Sequence, residues 1–557
     1  MKTIIVGGVA GGASCAARLR RLDESAEIIL VERGPHISYA NCGLPYYIGG
    51  EIAEEEALFL QTPDSFYRRF HVDVYVNTRV VSIHPRERYV VLENENGMVY
   101  EESYDSLVLS PGAKPRPLSI VGLPQRGVFT LRDVPDTLRI EAFLTEEKPK
   151  RAAIVGGGFI GLEMAENLLR RGLKVSIIEA MEHLLPPLDG DMAAEVHHYA
   201  MKKGLEMHFG RSVAVIEKGE GGLRLSGEGL EIKADMVLLS AGVVPDTDFL
   251  TDSGIALTSR GAIVVDQNMR TNYPDIYAVG DAVQVTHYVG KHPVQIPLAG
   301  PANKQGRIAA DNIAGIPSTY LGSQGSSILR FFEQSIAVTG LNEAQAMALD
   351  LDYDKVYTLS PSHAGYYPGG GEMSIKTLFE RGTGRILGAQ IVGYDGVDKR
   401  CDVLAVAIRG GMTAYDLSRL DLCYAPPFSS AKDPVNMIGY VIENVLMGQV
   451  QNAFWQDIPA LLEEGEATFL DVRTAEEWEA GHIPGFLHIP LDELREHMAE
   501  LDMEHPVYVC CRSGMRSYIA CCILSGYGFN SYNLSGGYRL YDSLATDPAR
   551  KNEEAWV

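Results

Sequence analysis

Long apolar runs are missing from this chain. No stretch reaches the about eighteen residues that a membrane span requires, so no membrane association is expected. Basic residues are also in deficit, with 49 Lys and Arg against 73 Asp and Glu and a formal charge of −24. That balance disfavours general nucleic-acid binding, which needs concentrated cations against phosphates. The eight cysteines form no disulfide framework that the sequence would announce, and Cys15, Cys401 and Cys423 have no metal-ligand spacing, so no metal is expected. Met1–Val6 runs straight into glycines, with no apolar leader or cleavage site behind it. Free thiols and a cytoplasmic location are the expectation.

A further absence concerns one thiol. Cys42 lies in Ser38-Tyr39-Ala40-Asn41-Cys42-Gly43-Leu44-Pro45, where a C-x-x-x-x-C redox pair would need a partner at a position held by Tyr47 or Ile37. Cys42 must therefore complete its chemistry with a sulfur supplied from elsewhere. Cys511 opens a second candidate loop, Cys511-Arg512-Ser513-Gly514-Met515-Arg516. Two unpaired reactive thiols suggest sulfur handed between sites.

At 557 residues the chain is too long for one core, and ordinary domain size implies roughly three or four. Two βαβ units stand out. The first runs from the opening strand through Gly7-Gly8-Val9-Ala10-Gly11-Gly12 to Glu27–Glu32, and the second from Ala152–Val155 through Gly156–Gly161 to Val175–Glu179. Each glycine turn ahead of a helix leaves N–H groups free for a pyrophosphate, so two dinucleotide sites are expected. Gly7, Gly11 and Gly12 form the first, with Glu32 placed to accept from a ribose diol. Gly156, Gly158 and Gly161 form the second, where Glu179 suits an unmodified ribose and favours NADH over NADPH. Strand-like runs at 375–379 and 386–391 precede helical patterns near Val403–Ile408 and Val435–Val445. The fold class expected is α/β: two Rossmann-like domains, an α+β module, and a C-terminal α/β domain. The boundaries read as 1–115 with 255–322, 116–254, 323–445, a linker at 446–455, and 456–557.

Thr271–Ala282, containing Gly280 and Asp281, resembles the second flavin motif of the two-dinucleotide-domain flavoprotein disulfide reductases. Ser110-Pro111-Gly112-Ala113 and Ser240-Ala241-Gly242 resemble that family's strand-end turns. The resemblance covers about the first 445 residues and implies FAD on Gly7, Gly11, Gly12, Glu32, Ser110, Gly112, Gly280 and Asp281. Residues 37–50 are similar to the single-cysteine branch of coenzyme A disulfide reductases, NADH oxidases and NADH peroxidases. His363–Pro368 and Tyr424–Asp433 point within it to the coenzyme A disulfide/persulfide reductases. That likeness implies a homodimer in which Tyr424 and either Tyr366 or Tyr367 approach the facing subunit's thiol. It also implies coenzyme A lying against Arg18, Arg21, Ser38 and Asn41, its phosphates suited to guanidinium groups. A thiol beside a helix N-terminus or a flavin is expected to have a lowered pKa.

Val507–Val509 reads as a strand, Arg512–Arg516 as a turn, and Ser517–Ala520 as a helix start, with backbone N–H groups cradling a thiolate or persulfide at Cys511. Together with Leu470-Asp471-Val472-Arg473, Glu477–Gly485 and Leu534-Ser535-Gly536-Gly537, this resembles a rhodanese domain and implies roles for Arg512 and Arg516. Cys510 is expected to end the strand, and Cys521 and Cys522 to lie on the helix. The expected function is an NADH- and FAD-dependent reductase of persulfide, polysulfide or other sulfane sulfur, releasing sulfide. Sulfur passes from Cys511 to Cys42, with coenzyme A as carrier. Alternatives are a coenzyme A disulfide reductase that maintains the thiol pool, an NADH oxidase or peroxidase cycling Cys42 through sulfenic acid, and a redox-sensing binding protein.

Overall fold

The computed structural model describes residues 1–550. The chain forms two compact units, Met1–Ile178 with Arg211–Gly325, and Glu179–Gly210 with the chain from Ser326 onward.

In the first unit the opening strand Lys2–Val6 is buried along Ile4, Ile5 and Val6, as a parallel strand covered on both faces should be. It pairs in parallel with Glu27–Val31 on one side and Ser106–Leu109 on the other; Asp73–Tyr75 and Ile276–Ala278 complete a five-stranded sheet. Helix Ala10–Leu22 packs on helix Ala299–Ile313. A second parallel sheet pairs Arg151–Val155 with Lys174–Ile178 and with Met236–Leu239, which in turn pairs with Val128–Phe129. Each central strand feeds a glycine turn and then a helix, the arrangement that aims a helix N-terminus at the strand ends.

The second unit holds a five-stranded antiparallel sheet in the order Ser327–Phe331, Gln334–Gly340, Ile386–Gly393, Glu372–Glu380, Tyr353–Pro361. The helices expected near Val403 and Val435 run over Val397–Gly410 and Pro434–Leu446. Strands Tyr353–Pro361 and Glu372–Glu380 pair from Tyr353↔Glu380 to Pro361↔Glu372 and are joined by residues 362–371. Under this sheet Lys376 is fully buried, its ammonium 2.9 Å from Asp189 and 2.8 Å from Asp191, with Glu343 also in contact. A buried cation persists when carboxylates surround it, and here they fasten helix Gly190–Lys202 to the sheet.

A parallel sheet follows, in the order Gln451–Ala453, Ser531–Leu534, Val507–Cys510, Thr468–Asp471, Leu487–His488. Part of the stretch read as a linker is thus structured: Gln451–Ala453 is the edge strand, and Trp455 is buried in the core. Three residues are too few to show strand alternation. Cys510 ends its strand as expected, and the helix after the loop starts at Met515, two residues earlier than read. Among the described residues no helix is long and apolar enough to cross a membrane.

Candidate active sites

A cavity of about 460 Å³ opens in the first unit, lined by Gly7, Gly8, Gly11, Glu32, Asn41, Cys42, Ser110, Gly112, Arg132, Gly280 and Asp281 among others. The sequence spreads these residues over nearly three hundred positions, and the parallel sheet gathers them. Its floor is bare backbone by necessity. A Cβ on Gly12 would stand 1.9 Å from the carbonyl of Gly7, and in the second turn one on Gly161 would stand 2.1 Å from that of Gly156. Both turns therefore bring chain to chain where a pyrophosphate needs exposed N–H groups. Glu32 accepts from Gly8 N–H at 2.9 Å and Gly34 N–H at 2.8 Å, which fixes its carboxylate on the cavity wall with lone pairs to spare. Gly280 N–H donates to Gln305, holding the turn before Asp281. In the second unit Glu179 accepts from Met181 N–H at 2.8 Å.

Cys42 lies in a short 3-10 turn, Asn41–Gly43, leading into helix Leu44–Gly49, and is exposed on the cavity. That helix packs on Phe159–Arg170, the helix opened by the second glycine turn; a Cβ on Gly49 would lie 1.7 Å from Asn167 Oδ1. Tyr46 hydroxyl donates to Glu163 across the same contact at 3.3 Å. The protein's own groups act against the lowered thiol pKa expected beside a helix N-terminus or a flavin. Desolvation, then the carboxylates of Glu163 and Asp281, push the Cys42 thiol up, and only Arg132 acts the other way. Burial also lifts Glu163 itself to about 7, against the Tyr46 hydrogen bond. Asn41, with its amide oriented to satisfy both neighbours, accepts from Arg132 Nη1 at 2.8 Å and donates to Arg132 O at 3.0 Å. Arg132 and Glu163 were not found from the sequence, because nothing in their own neighbourhoods marks them.

The basic trio on the first helix divides. Arg18 is committed to Asp311 at 2.7 Å, Arg20 is buried with its guanidinium on the carbonyls of Phe70, His71, Asp23 and Glu24, and Arg21 is exposed. Ser38 takes a left-handed φ of 45° and donates its N–H to Gly8 O at 2.8 Å, tying the Cys42 segment to the first glycine turn.

In the second unit, residues 362–371 project Tyr366 and Tyr367, while Tyr424 stands on a separate loop. Tyr366 and Tyr424 meet hydroxyl to hydroxyl at 2.8 Å, both exposed. Tyr367 instead sets its ring edge-on to His363, centroids 5.4 Å apart. The two loops are stapled from below by Arg400, which is 1% exposed and donates to Ser362 O, Ser429 Oγ and Asp433 Oδ2, each at 3.0 Å.

Cys511 is buried, at the foot of its loop. Gly514 N–H donates to Sγ at 3.1 Å, so the cradle expected from sequence is present in part. Ser517 Oγ lies 3.2 Å from Sγ and 2.6 Å from Asn533 Oδ1, and its single proton serves one acceptor at a time. The Ser535-Gly536-Gly537 turn is required by the loop, since a Cβ on Gly537 would stand 2.5 Å from Cys511 O. Tyr538 N–H then donates to Cys511 O at 2.7 Å. Asp471 and Arg473 form a buried pair at 2.8 Å, with Arg473 over the Tyr538 ring at 3.8 Å. The two loop arginines are each held by a carboxylate: Arg512 by Glu372 at 2.7 Å through both nitrogens, Arg516 by Glu477 at 2.6 and 2.8 Å. Cys510 is driven well above the ordinary thiol range by burial, and Cys521 to about 12, so neither is a ready nucleophile, while Cys522 is exposed on the helix that follows the loop.

Residues 1–306 match the pyridine nucleotide-disulphide oxidoreductase family, residues 326–434 the dimerisation domain of that family, and residues 455–543 the rhodanese-like domain. The chain belongs to the pyridine nucleotide-disulphide oxidoreductases, in the coenzyme A disulfide/persulfide reductase branch that carries a fused rhodanese domain. It is 36% identical over 444 residues to the coenzyme A disulfide reductase of Staphylococcus epidermidis, covering 79% of this chain and 99% of that protein. The crystal structure of reduced Bacillus anthracis CoADR-RHD superposes with a TM-score of 0.95 at 45% identity over 98% of each chain. An NAD-dependent persulfide reductase from A. fulgidus superposes with a TM-score of 0.91 at 35% identity, over 97% of this chain and all of that one.

Proposed function

We propose that this protein uses NADH and FAD to reduce persulfides, coenzyme A persulfide foremost, and releases sulfide. The observation that carries the reading is Cys42. It is a solitary thiol with no disulfide partner, exposed on the glycine-floored cavity that also holds Glu32 and Asp281. The residues fit FAD: Gly7, Gly11 and Gly12 would hold its pyrophosphate, Glu32 its ribose diol and Asp281 its ribityl chain. Gly156, Gly158, Gly161 and Glu179 would hold NADH. Bound there, the flavin supplies two-electron transfer from NADH to sulfur.

Cys42 as thiolate attacks the S–S bond of the incoming persulfide. Attack on the sulfur borne by coenzyme A expels hydrosulfide and leaves a Cys42–coenzyme A mixed disulfide. Attack on the outer sulfur expels coenzyme A thiolate and leaves a Cys42 persulfide. Two electrons, supplied by the next NADH, cleave either bond and regenerate the thiolate. Arg18, Arg21, Ser38 and Asn41 would receive coenzyme A, with Arg18 exchanging its Asp311 partner for phosphate. Tyr366 and Tyr424 would hold or return the proton at the leaving sulfur, reaching the site of a second copy in a homodimer. Cys511 would load sulfur from a donor and pass it to coenzyme A, and thence to Cys42.

The alternative, a coenzyme A disulfide reductase of the thiol pool, is favoured by the Staphylococcus relatives, whose names carry that activity. Of two solved structures matched along almost the whole chain, one is a persulfide reductase and the other CoADR-RHD; the reading of Cys511 as a sulfur carrier is what favours persulfide. The test is relative turnover of coenzyme A persulfide and coenzyme A disulfide by the purified protein, with mass spectrometry of the isolated chain for flavin, coenzyme A adducts and added sulfur. Faster persulfide turnover is expected; much faster disulfide reduction would decide for the alternative.

A further inference from the structure

The Cys511 loop carries two arginines that an anionic donor would be expected to meet, and neither is free of a carboxylate. Arg516 is paired with Glu477 from the same domain. The partner of Arg512 comes from elsewhere in the unit. Glu372 opens the antiparallel strand Glu372–Glu380, 140 residues upstream, and takes both Arg512 nitrogens at 2.7 Å. The same carboxylate accepts from Arg539 at 3.0 Å, and Arg539 reaches Glu195 at 3.1 Å. Both Arg512 and Glu372 remain partly exposed, so the pair is open to exchange with a donor. The Arg512 hydrogen bonds, aided by Arg539, hold the Glu372 carboxyl below the usual carboxylate range despite its burial, so it is ionised at neutral pH.

A planar guanidinium bound in fork-to-fork fashion is spent on one carboxylate. An oxyanion donor such as thiosulfate, with two negative charges, must either displace Glu372 or approach beside it. Displacement loses two charge-assisted hydrogen bonds, and approach alongside sets like charges together. The reacting persulfide group carries at most one charge, on the outer sulfur that Cys511 attacks, and any carboxylates or phosphates of its carrier lie away from that sulfur. It makes far less demand on Arg512.

We propose that Glu372 sets the donor specificity of the Cys511 site, pairing with Arg512 so that the loop takes persulfides of low-molecular-weight thiols in preference to thiosulfate. This rests on the reading of Cys511 as a sulfur carrier. In the step itself the Cys511 thiolate attacks the outer sulfur of R–S–SH. The S–S bond of the donor breaks, R–S⁻ leaves, and Cys511–S–SH forms with no external oxidant or reductant. Cyanide then removes the outer sulfur as thiocyanate, a proton is lost to solvent, and the thiolate returns.

The experiment measures thiocyanate formation by the full-length holoenzyme with glutathione persulfide or thiosulfate as donor, each above the background of Cys511→Ser. In the unmodified chain kcat/KM for the persulfide should exceed that for thiosulfate at least tenfold. Glu372→Gln should raise kcat/KM for thiosulfate at least fivefold, through KM, while changing the persulfide value less than twofold. Adding Arg512→Gln to Glu372→Gln should erase that gain. Thiosulfate as the better donor for the unmodified chain would overturn the proposal without any variant, and so would an unaltered donor ratio in a folded Glu372→Gln protein. Thiocyanate at background level from both donors would instead overturn the sulfur-carrier reading beneath it.

Discussion

Tyr366 and Tyr424, 58 residues apart in the chain, share a hydrogen bond of 2.8 Å between their hydroxyls. The bond to Tyr424 raises the pKa of Tyr366. It also separates the adjacent tyrosines that the sequence could not rank, because Tyr367 packs on His363 instead. Tyr366→Phe and Tyr424→Phe should each lower NADH-dependent persulfide turnover by about 10- to 100-fold, within the range of a lost proton donor. Tyr367→Phe should stay within about threefold. Steady-state rates of the three variants check this, and an effect of Tyr367→Phe as large as the others would remove the assignment.

Arg400 sits beneath both tyrosine loops and neutralises Asp433. Removing it leaves the buried Asp433 with Lys399, at 3.4 Å, as its remaining cation, so Arg400→Ala should cost up to about 3–5 kcal/mol. A lowered thermal midpoint of the full chain, together with loss of turnover, is the expected readout. Burial would push the Asp433 carboxyl up, but Val435 N–H, Ser429 and Arg400 outweigh it and hold it below the usual range. Its stabilisation is therefore complete above about pH 4, the unfolded value, and is lost as pH falls through the depressed folded value. Acid unfolding of Asp433→Asn should be correspondingly less steep.

Glu163 and Cys42 oppose one another. Glu163 is neutral below about pH 7 and charged above it, and the charge raises the Cys42 thiol. Glu163→Gln should shift the pH midpoint of Cys42 alkylation downward by roughly half a unit to one unit, a range consistent with one partly screened charge nearby. Mass spectrometry resolved to the Cys42 peptide is needed, since Cys423 and Cys522 are also exposed. An unmoved midpoint would show that desolvation alone lifts the thiol.

Cys511→Ser should abolish turnover of bulky or polymeric sulfur donors while small persulfides are still reduced at Cys42. Sulfide release from polysulfide and from coenzyme A persulfide, compared in the variant, reads this directly. Equal loss on both would place Cys511 in the reductive step itself.

The glycine turns, the Cys42 segment and the Cys511 loop were legible because their chemistry is local: a strand, a turn without side chains, a helix. The Val397–Gly410 and Pro434–Leu446 helices were legible through their periodicity. What escaped were partners brought in by the fold. Asp433 is 33 residues from Arg400, Glu163 is 117 from Tyr46, and Glu372 is 140 from Arg512. Each is an ordinary acidic or basic residue in its own stretch of sequence. The carboxylates that add to desolvation in raising the Cys42 thiol escaped for the same reason, being distant along the chain.

Tyr366 and Glu372 stand on one hairpin, the first on its connecting segment and the second at the base of that segment, in the grip of Arg512. Exchange of the C-terminal domain for a foreign sulfurtransferase would leave an acidic side chain at that base without its counterion. Chimeras built at residue 450 should therefore inherit a mismatched joint unless the transplanted loop keeps an arginine directly after its cysteine.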